Sequence, residues 1–351
     1  MNNINYSTVE KQIEKLKKQN LSFHNENDAK YQLQLYGYFN LIKGYRDPYI
    51  IKSDNALQYR TGVSFEQITS LYILDKNIRS AVISAMLDLE EHLKASAAEV
   101  IARSFGTNEK DYLLFKNYKD KKKSNKNFSL GSIMDKMKTT LLSGKDPVKH
   151  YREEHGTIPP WVLFKNVYFS TIINFVDLFK TPEREQLVSY LYDVDSLQYD
   201  ISQLKTMMMD SLFICLEYRN LAAHGGRIYN YYCSKQMTKK AFPQISDSDI
   251  PKGMNLLLFI LYLFKYDNPY QILHTSILNE VNRHLENYPE DITYLGHILN
   301  LDFVKQEIGW ISGSSNIYHN DPTCSGINNA IPIPIDDLKQ NGCRPCKKCF
   351  K

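Results

Sequence analysis

An all-α helical bundle is the fold class this chain predicts, on three observations. Apolar residues recur at the spacing of a helix facing a core over most of the first 300 residues, and alternating strand-like runs are few. Prolines fall where helices start or stop. A first helix opens at Ser7-Thr8-Val9-Glu10, with Glu10 three residues after Ser7 as in a capping box and Val9, Ile13 and Leu16 on one stripe. A second helical block through Tyr31 to Tyr45 ends at Arg46-Asp47-Pro48, because proline disfavours the helical region for its predecessor. These form an N-terminal helical cap, 1–60. A long helix then runs from about Ser64 to Ser104, carrying Leu71, Leu74, Ile78, Val82, Ala85, Leu89 and Leu93 on one side. Past a lysine-rich loop come helices over Ile133 to Leu142, Trp161 to Phe179 and Pro182 to Tyr192. Another carries Leu204, Met207, Met208, Leu212, Cys215 and Leu216 and ends before Gly225; its methionines read as adaptable packing. Helices over Met254 to Tyr266 and Gln271 to Asn287 close a helical domain, 61–299.

The last stretch, 300–351, differs in kind. Ser312-Gly313-Ser314-Ser315 reads as a linker, and four of the six cysteines follow it: Cys324, Cys343, Cys346 and Cys349. With His319 they make five candidates for the four tetrahedral positions of a structural zinc, the usual device for a segment too small for its own core. Redox-active thiols are the competing reading, since Cys-x-x-Cys alone can be catalytic.

At 351 residues and 43% hydrophobic, the chain has ample material for a core. The longest apolar stretch, Met254 to Phe264, is about half the ~20 residues a membrane span needs, and mean hydropathy is −0.42. The N-terminus lacks the pattern of a secretion signal, so a cytoplasmic protein is expected. A net charge of +4 identifies no partner, but clustering does. Lys116, Lys119, Lys121, Lys122, Lys123 and Lys126 crowd into a short polar segment with Tyr118 and Phe128, its only acid being Asp120. This reads as a mobile loop whose cations meet RNA phosphates while its aromatics stack on bases, or else as a solvated insertion.

The sharpest chemistry lies in Arg219-Asn220-Leu221-Ala222-Ala223-His224, just before Gly225-Gly226. Histidine exchanges protons near neutral pH and arginine is a permanent cation matched to phosphate, which is what metal-free phosphodiester transesterification requires. Asn220 and His224, four apart, share a helix face, and Arg219 reaches round with its long side chain. One helix offers half a site; two copies across a two-fold axis would gather both arginines and both histidines into one cleft. The plainer reading is that His-Gly-Gly merely caps a helix.

Several blocks, in order, resemble the Abi-like (AbiD/AbiF) abortive-infection proteins of bacteria, members of the HEPN superfamily. Tyr36-Gly37-Tyr38-Phe39-Asn40-Leu41-Ile42-Lys43-Gly44-Tyr45-Arg46-Asp47-Pro48 is similar to the family's aromatic segment, closest to the AbiF branch. Leu71-Tyr72-Ile73-Leu74-Asp75-Lys76-Asn77-Ile78-Arg79, Leu89 to Lys94, Pro159-Pro160-Trp161 and Phe169-Ser170-Thr171 resemble its later blocks. Tyr218-Arg219-Asn220-Leu221-Ala222-Ala223-His224, with Arg227 and Asn230, matches its Arg-Asn-x-x-x-His signature. The resemblance implies a HEPN-like helical homodimer, paired through the motif helices, that cuts RNA without a metal. It implies His224 as the proton-transfer residue, Arg219 as the group stabilising the pentacoordinate phosphate, and Asn220 orienting one of them or holding the phosphate. Departures stand at Gly225, where many relatives have a second histidine, at Lys165, where some carry an acid, and at Ser170, where glycine is usual.

The tail has its own likeness. Ile317-Tyr318-His319 with Cys324, then Gly342-Cys343-Arg344-Pro345-Cys346-Lys347-Lys348-Cys349, is similar to the zinc-binding module of the Ada methylation-response protein. That match implies His319, Cys324, Cys346 and Cys349 as ligands, with Cys343 a spare that could replace His319. Histidine stands where that module carries its methyl-accepting cysteine, so repair chemistry does not carry over.

The function expected is therefore an anti-phage endoribonuclease leaving 2′,3′-cyclic phosphate ends. The alternative is a non-catalytic or silenced RNA-binding HEPN protein holding a small structured non-coding RNA. RNA contacts are expected from the lysine cluster, Arg227, Arg344, Lys347 and Lys348. His92, His155, His274, His284 and His297 have no partner spacing and read as structural. Asp75 and Arg79 read as an ion pair or as shaping the RNA cleft, and Glu90 and Glu91 as partners of Lys94.

Overall fold

The computed structural model describes residues 6–53, 56–120, 128–197, 199–242, 250–301, 308–312, 315–321, 324, 327 and 331–350. It is mostly helical, with a few small sheets. Contacts divide the chain into two units, Met1–Leu301 and Asp302–Lys351.

The first unit begins with α1 (Val9–Lys18) and α2 (Glu26–Tyr36). The cap of α1 is Thr8, whose hydroxyl accepts from the Lys11 amide, so the Ser7/Glu10 box does not form. Helix α2 starts earlier than its apolar pattern suggests, because Asn25 caps it by accepting from the amides of Asn27 and Asp28. It stops at Gly37, whose φ of 80° leaves the helical region. The aromatic segment then continues as a π-helical turn, Phe39–Lys43, and a 3-10 turn, Asp47–Tyr49. A hairpin of β1 (Ile50–Ser53) and β2 (Ala56–Tyr59), with Ile50 opposite Tyr59, was not legible in the sequence.

Helix α3 (Phe65–Phe105) organises the unit. Ser64 caps it by accepting from the Gln67 amide at 3.1 Å, and Gly106, at φ 84°, ends it. At 41 residues it is about 60 Å long. Every member of the stripe from Leu71 to Leu93 is buried. Around it pack α7 (Pro160–Leu163), α9 (Thr181–Leu191), α11 (Ile201–Ala223) and, most extensively, α13 (Asn268–Asn287). Between these lie α4 (Glu109–Tyr112), α5 (Leu130–Leu141), α6 (Val148–His150), α8 (Phe169–Val176), α10 (Val194–Leu197) and α12 (Gly253–Leu263), with α14 (Ile292–Leu299) last. The expected helix from Trp161 to Phe179 is broken: a 3-10 turn, Phe164–Asn166, leads to an extended Val167 before α8. No proline or glycine marks that break.

His284 is structural, as its lack of partner spacing suggested. It is 1% exposed, its Nδ1 2.9 Å from Ser70 Oγ on α3 and its Nε2 2.9 Å from an Asp291 carboxylate oxygen. That oxygen also accepts from Tyr49 Oη at 2.7 Å and Gln67 Nε2 at 3.1 Å. Burial opposes ionisation of Asp291, but these donors outweigh it and hold its pKa below the usual range. The network ties the segment before the hairpin to α3 and α13, within one unit.

Among its described residues the second unit is a sheet of order β5-β3-β4-β6 with one helix, α15 (Ile335–Gln340). Its strands are β3 (Ile308–Ile311), β4 (Ile317–His319), β5 (Ile331–Pro334) and β6 (Arg344–Pro345). Strand β3 is antiparallel to both neighbours, and β6 runs parallel to β4, with Tyr318 opposite Pro345. Its buried apolar core consists of Ile311, Tyr318, Ile335 and Leu338 among the described residues.

Candidate functional site

The Arg-Asn-x-x-x-His segment forms the last turn of α11. That helix begins with a reciprocal cap: Asp200 accepts from the amides of Ser202 and Gln203, and Gln203 accepts from the Asp200 amide at 3.0 Å. It ends at His224 in a closed turn, with the Gly226 amide donating to the Leu221 carbonyl at 2.9 Å and Gly225 to Ala222 at 3.1 Å. Gly225 has φ 70°, where side chains are strained. Gly226 is required for space, since a Cβ there would lie 2.2 Å from Leu221 Cδ1 and 3.1 Å from the Leu221 carbonyl oxygen. The pair of glycines is therefore a helix cap, and the cap presents the motif. Asn220 and His224 are exposed and Arg219 is half-buried. The Arg219 guanidinium reaches Asn220 Oδ1 at 3.4 Å, and the His224 ring has no hydrogen-bond partner among the described residues.

Two carboxylates and an arginine hold this turn. Arg79 of α3 donates to the carbonyls of Gly225 and Gly226, each at 3.1 Å, satisfying acceptors that a helix end leaves open. Asp75 is fully buried beside it; one oxygen accepts from the amides of Ile228 and Tyr229, the other from Tyr45 Oη at 2.5 Å and Arg79 at 3.4 Å. The expected ion pair exists, but its geometry is long, and both residues chiefly grip the chain after the motif. Burial pushes the Asp75 carboxyl above its ordinary value against the pull of those donors. Glu217 accepts from Tyr231, from the Ser234 amide and hydroxyl, and from the Lys235 amide. Burial opposes its charge, yet the Tyr231 and Ser234 bonds win and bring it down to about 2. The Tyr218 hydroxyl reaches the Gly253 carbonyl at 2.7 Å, and Arg227 donates to the Gly44 carbonyl at 2.5 Å while remaining exposed. Sequence reasoning missed Glu217; an acid two residues before the motif on a mainly apolar helix was its only signal.

A family model described as Abi-like protein matches residues 31–230, from within α2 to just beyond the motif. The chain belongs to the Abi-like protein family. Membership suggests a part in abortive infection, a defence against phage. No curated protein and no solved structure matches the chain.

In this Abi-like protein two residues of the lysine cluster, Lys116 and Lys119, lie among the described residues. Lys116 lies in a 3-10 turn, Phe115–Asn117, and the Lys119 amide donates to the Leu178 carbonyl at 2.8 Å. Lys121, Lys122, Lys123 and Lys126 lie outside the described residues. Tyr118 corrects an expectation: it is 4% exposed, packed against Phe175 and Phe179 with its hydroxyl on the Tyr112 carbonyl, so its ring does not stack on bases. Glu90 pairs with Lys94 at 2.7 Å.

In the second unit His319, Cys324, Cys346 and Cys349 each bring a ligand atom within 4.8 Å of the others, a group that could hold a metal ion. A tetrahedral zinc with bonds of ~2.3 Å separates its sulfurs by roughly 3.8 Å, so three thiols and one imidazole at this spacing fit it. His319 arrives on β4 and Cys346 and Cys349 on the turn after β6, with Cys349 Sγ 3.5 Å from His319 Nδ1. The amides of Lys348 and Cys349 point at Cys346 and lower its thiol pKa, which favours the thiolate form that binds metal. Cys343 packs instead against the small apolar core, outside the group. Arg344, Lys347 and Lys348 are exposed around it.

Proposed function

We propose that this Abi-like protein is an anti-phage effector of the HEPN type, a homodimer that binds RNA and cuts it at a site built from Arg219, Asn220 and His224 of both subunits. The observation that carries the reading is the motif's setting. Three polar side chains suited to phosphodiester chemistry stand at a solvent-facing helix end whose shape is locked from beneath by Arg79 and Asp75. A preorganised end of this kind costs little reorganisation when a substrate arrives.

In the reaction proposed, the imidazole of one His224 takes the proton of a 2′-hydroxyl as its oxygen bonds to phosphorus. The bond from phosphorus to the 5′-oxygen breaks, and that oxygen takes a proton from the other subunit's imidazolium. Arg219 donates to the non-bridging oxygens as charge builds there, and Asn220 holds the phosphate. The products are a 2′,3′-cyclic phosphate and a 5′-hydroxyl. Lys116, Lys119, Arg227, Arg344, Lys347 and Lys348 supply sequence-independent contacts to the RNA backbone. Zinc at His319, Cys324, Cys346 and Cys349 folds the second unit and takes no part in the cleavage.

The test is cleavage of labelled RNA without added divalent ions, by wild type and His224→Ala, with product ends mapped. Cleavage by wild type alone, leaving cyclic phosphates, is expected, with a loss of about a hundredfold or more in the variant. A discrete small RNA bound uncut by both proteins would replace the enzyme with the non-catalytic RNA-binding alternative.

A further inference from the structure

The break between α7 and α8 that the sequence did not reveal opens a cavity of about 500 Å³ between α5 and the start of α8. Its wall includes Asp135, Lys136 and Thr139 of α5 and Asn166, Tyr168 and Ser170 from the break. The volume lies in the range of small-ligand sites.

Three features point to one kind of ligand. Tyr168 is 79% exposed at the rim, a large aromatic face held at the start of α8 and left to solvent. The Asn166 side-chain nitrogen is shielded from solvent and has no hydrogen-bond partner among the described residues, a donor in the wall with no protein acceptor. The first turn of α8 has no side-chain cap, so the Phe169 and Ser170 amides remain donors as well, the Thr171 amide being taken by the Tyr168 carbonyl. Against these donors stand the exposed Asp135 carboxylate and the Thr139 hydroxyl, both able to accept. A bare phosphate needs donors alone, and an apolar ligand needs neither. An aromatic face beside both donors and acceptors is what the edge and face of a nucleobase require. The cations are placed for the rest of such a ligand: Lys136 sits over the Phe128 ring at 4.9 Å, and Lys138 of the same helix over the Phe115 ring at 5.5 Å, next to Lys116. Phe115 and Phe128, on either side of the basic segment, thus lie against lysines of the helix that lines the cavity.

We propose that this cavity receives a single unpaired nucleotide, stacked on Tyr168 and read at its edge by Asn166 and Asp135. The proposal rests on the RNA-binding reading for the source of that nucleotide, an RNA strand whose backbone passes along the lysines; a free mononucleotide shares the chemistry. Base preference would then arise here, away from the chemistry assigned to Arg219 and His224.

The experiment measures binding of labelled homopolymeric RNAs of about a dozen nucleotides to the full chain by fluorescence anisotropy, and of the four nucleoside 5′-monophosphates by calorimetry. It compares wild type, Tyr168→Ala and Asn166→Asp, all checked for helicity. Expected are a preference for one base, an affinity lowered about five- to hundredfold in Tyr168→Ala, and an altered preference in Asn166→Asp, which trades a donor for an acceptor. Wild type that binds RNA with both variants indistinguishable from it overturns the cavity and leaves the RNA reading standing. Mononucleotide binding lost in Tyr168→Ala, with no RNA bound by wild type, upholds the cavity with a free nucleotide as its ligand and removes the RNA reading. Binding of neither overturns both.

Discussion

Glu217 sits two turns before His224 on α11 and gathers donors from Tyr231, Ser234 and Lys235, so its charge is part of the native structure. A carboxylate depressed from 4.5 to about 2 contributes stability that is complete above the unfolded value and is lost as pH falls through the folded one. The difference in Tm between wild type and Glu217→Gln is therefore expected to be constant above about pH 4.5 and to shrink toward pH 2; a difference independent of pH across that window would count against the assignment. Arg219 and His224 could be singled out from the chain as candidates, because a proposed proton exchanger and phosphate-matched cation need only the right residue types in order. Asp75 was readable as a partner of Arg79 but not as the acceptor for Ile228 and Tyr229, which lie 153 and 154 positions away.

At the level of elements, the end of α11 and the chain that follows it behave as one piece gripped by α3. Gly226→Ala should destabilise the protein by about 1–3 kcal/mol through its clash with Leu221, and Leu221→Ala in the same chain should recover part of that loss; thermal or urea melts of the three variants decide it. Asp75→Ala, which leaves two buried amides and Tyr45 without an acceptor, should cost about 3–5 kcal/mol and depress the proposed RNA cleavage by disturbing the end of α11. Helices announced by a long apolar stripe, such as α3, could be placed to within a residue or so, because burial of one face repeats at helical spacing. The break at Val167 and the hairpin after Tyr49 could not: no proline or glycine marks either place, and the apolar periodicity runs on through the first. Their conformations are set by what packs on them.

On the scale of the whole molecule, two units are stabilised by different means. The helical unit buries a continuous core, whereas the cysteine-bearing unit has four buried apolar residues among those described, too few to hold a fold unaided. Zinc should therefore bind at one equivalent per chain. Its removal by a chelator should melt Asp302–Lys351 while most of the helical circular dichroism stays, and Cys349→Ser should abolish stoichiometric binding while Cys343→Ser retains it. Retained zinc in Cys349→Ser would reassign the ligands. The proposed pairing of motif helices predicts a particle of twice 40.9 kDa by light scattering at the concentrations used for cleavage.

The sequence by itself determined the helical class, the long central helix, the order of blocks that marks the family, and which residues are candidates for the two sites, because periodicity and side-chain chemistry are local properties. Only the tertiary structure decided that Tyr118 is core, that Cys343 stands outside the ligand group, that Arg79 and Asp75 hold the end of α11, and that a cavity opens before α8. Each of those depends on which distant segment comes to lie against which, and burial, hydrogen-bond pairing and empty volume exist only once those segments have met.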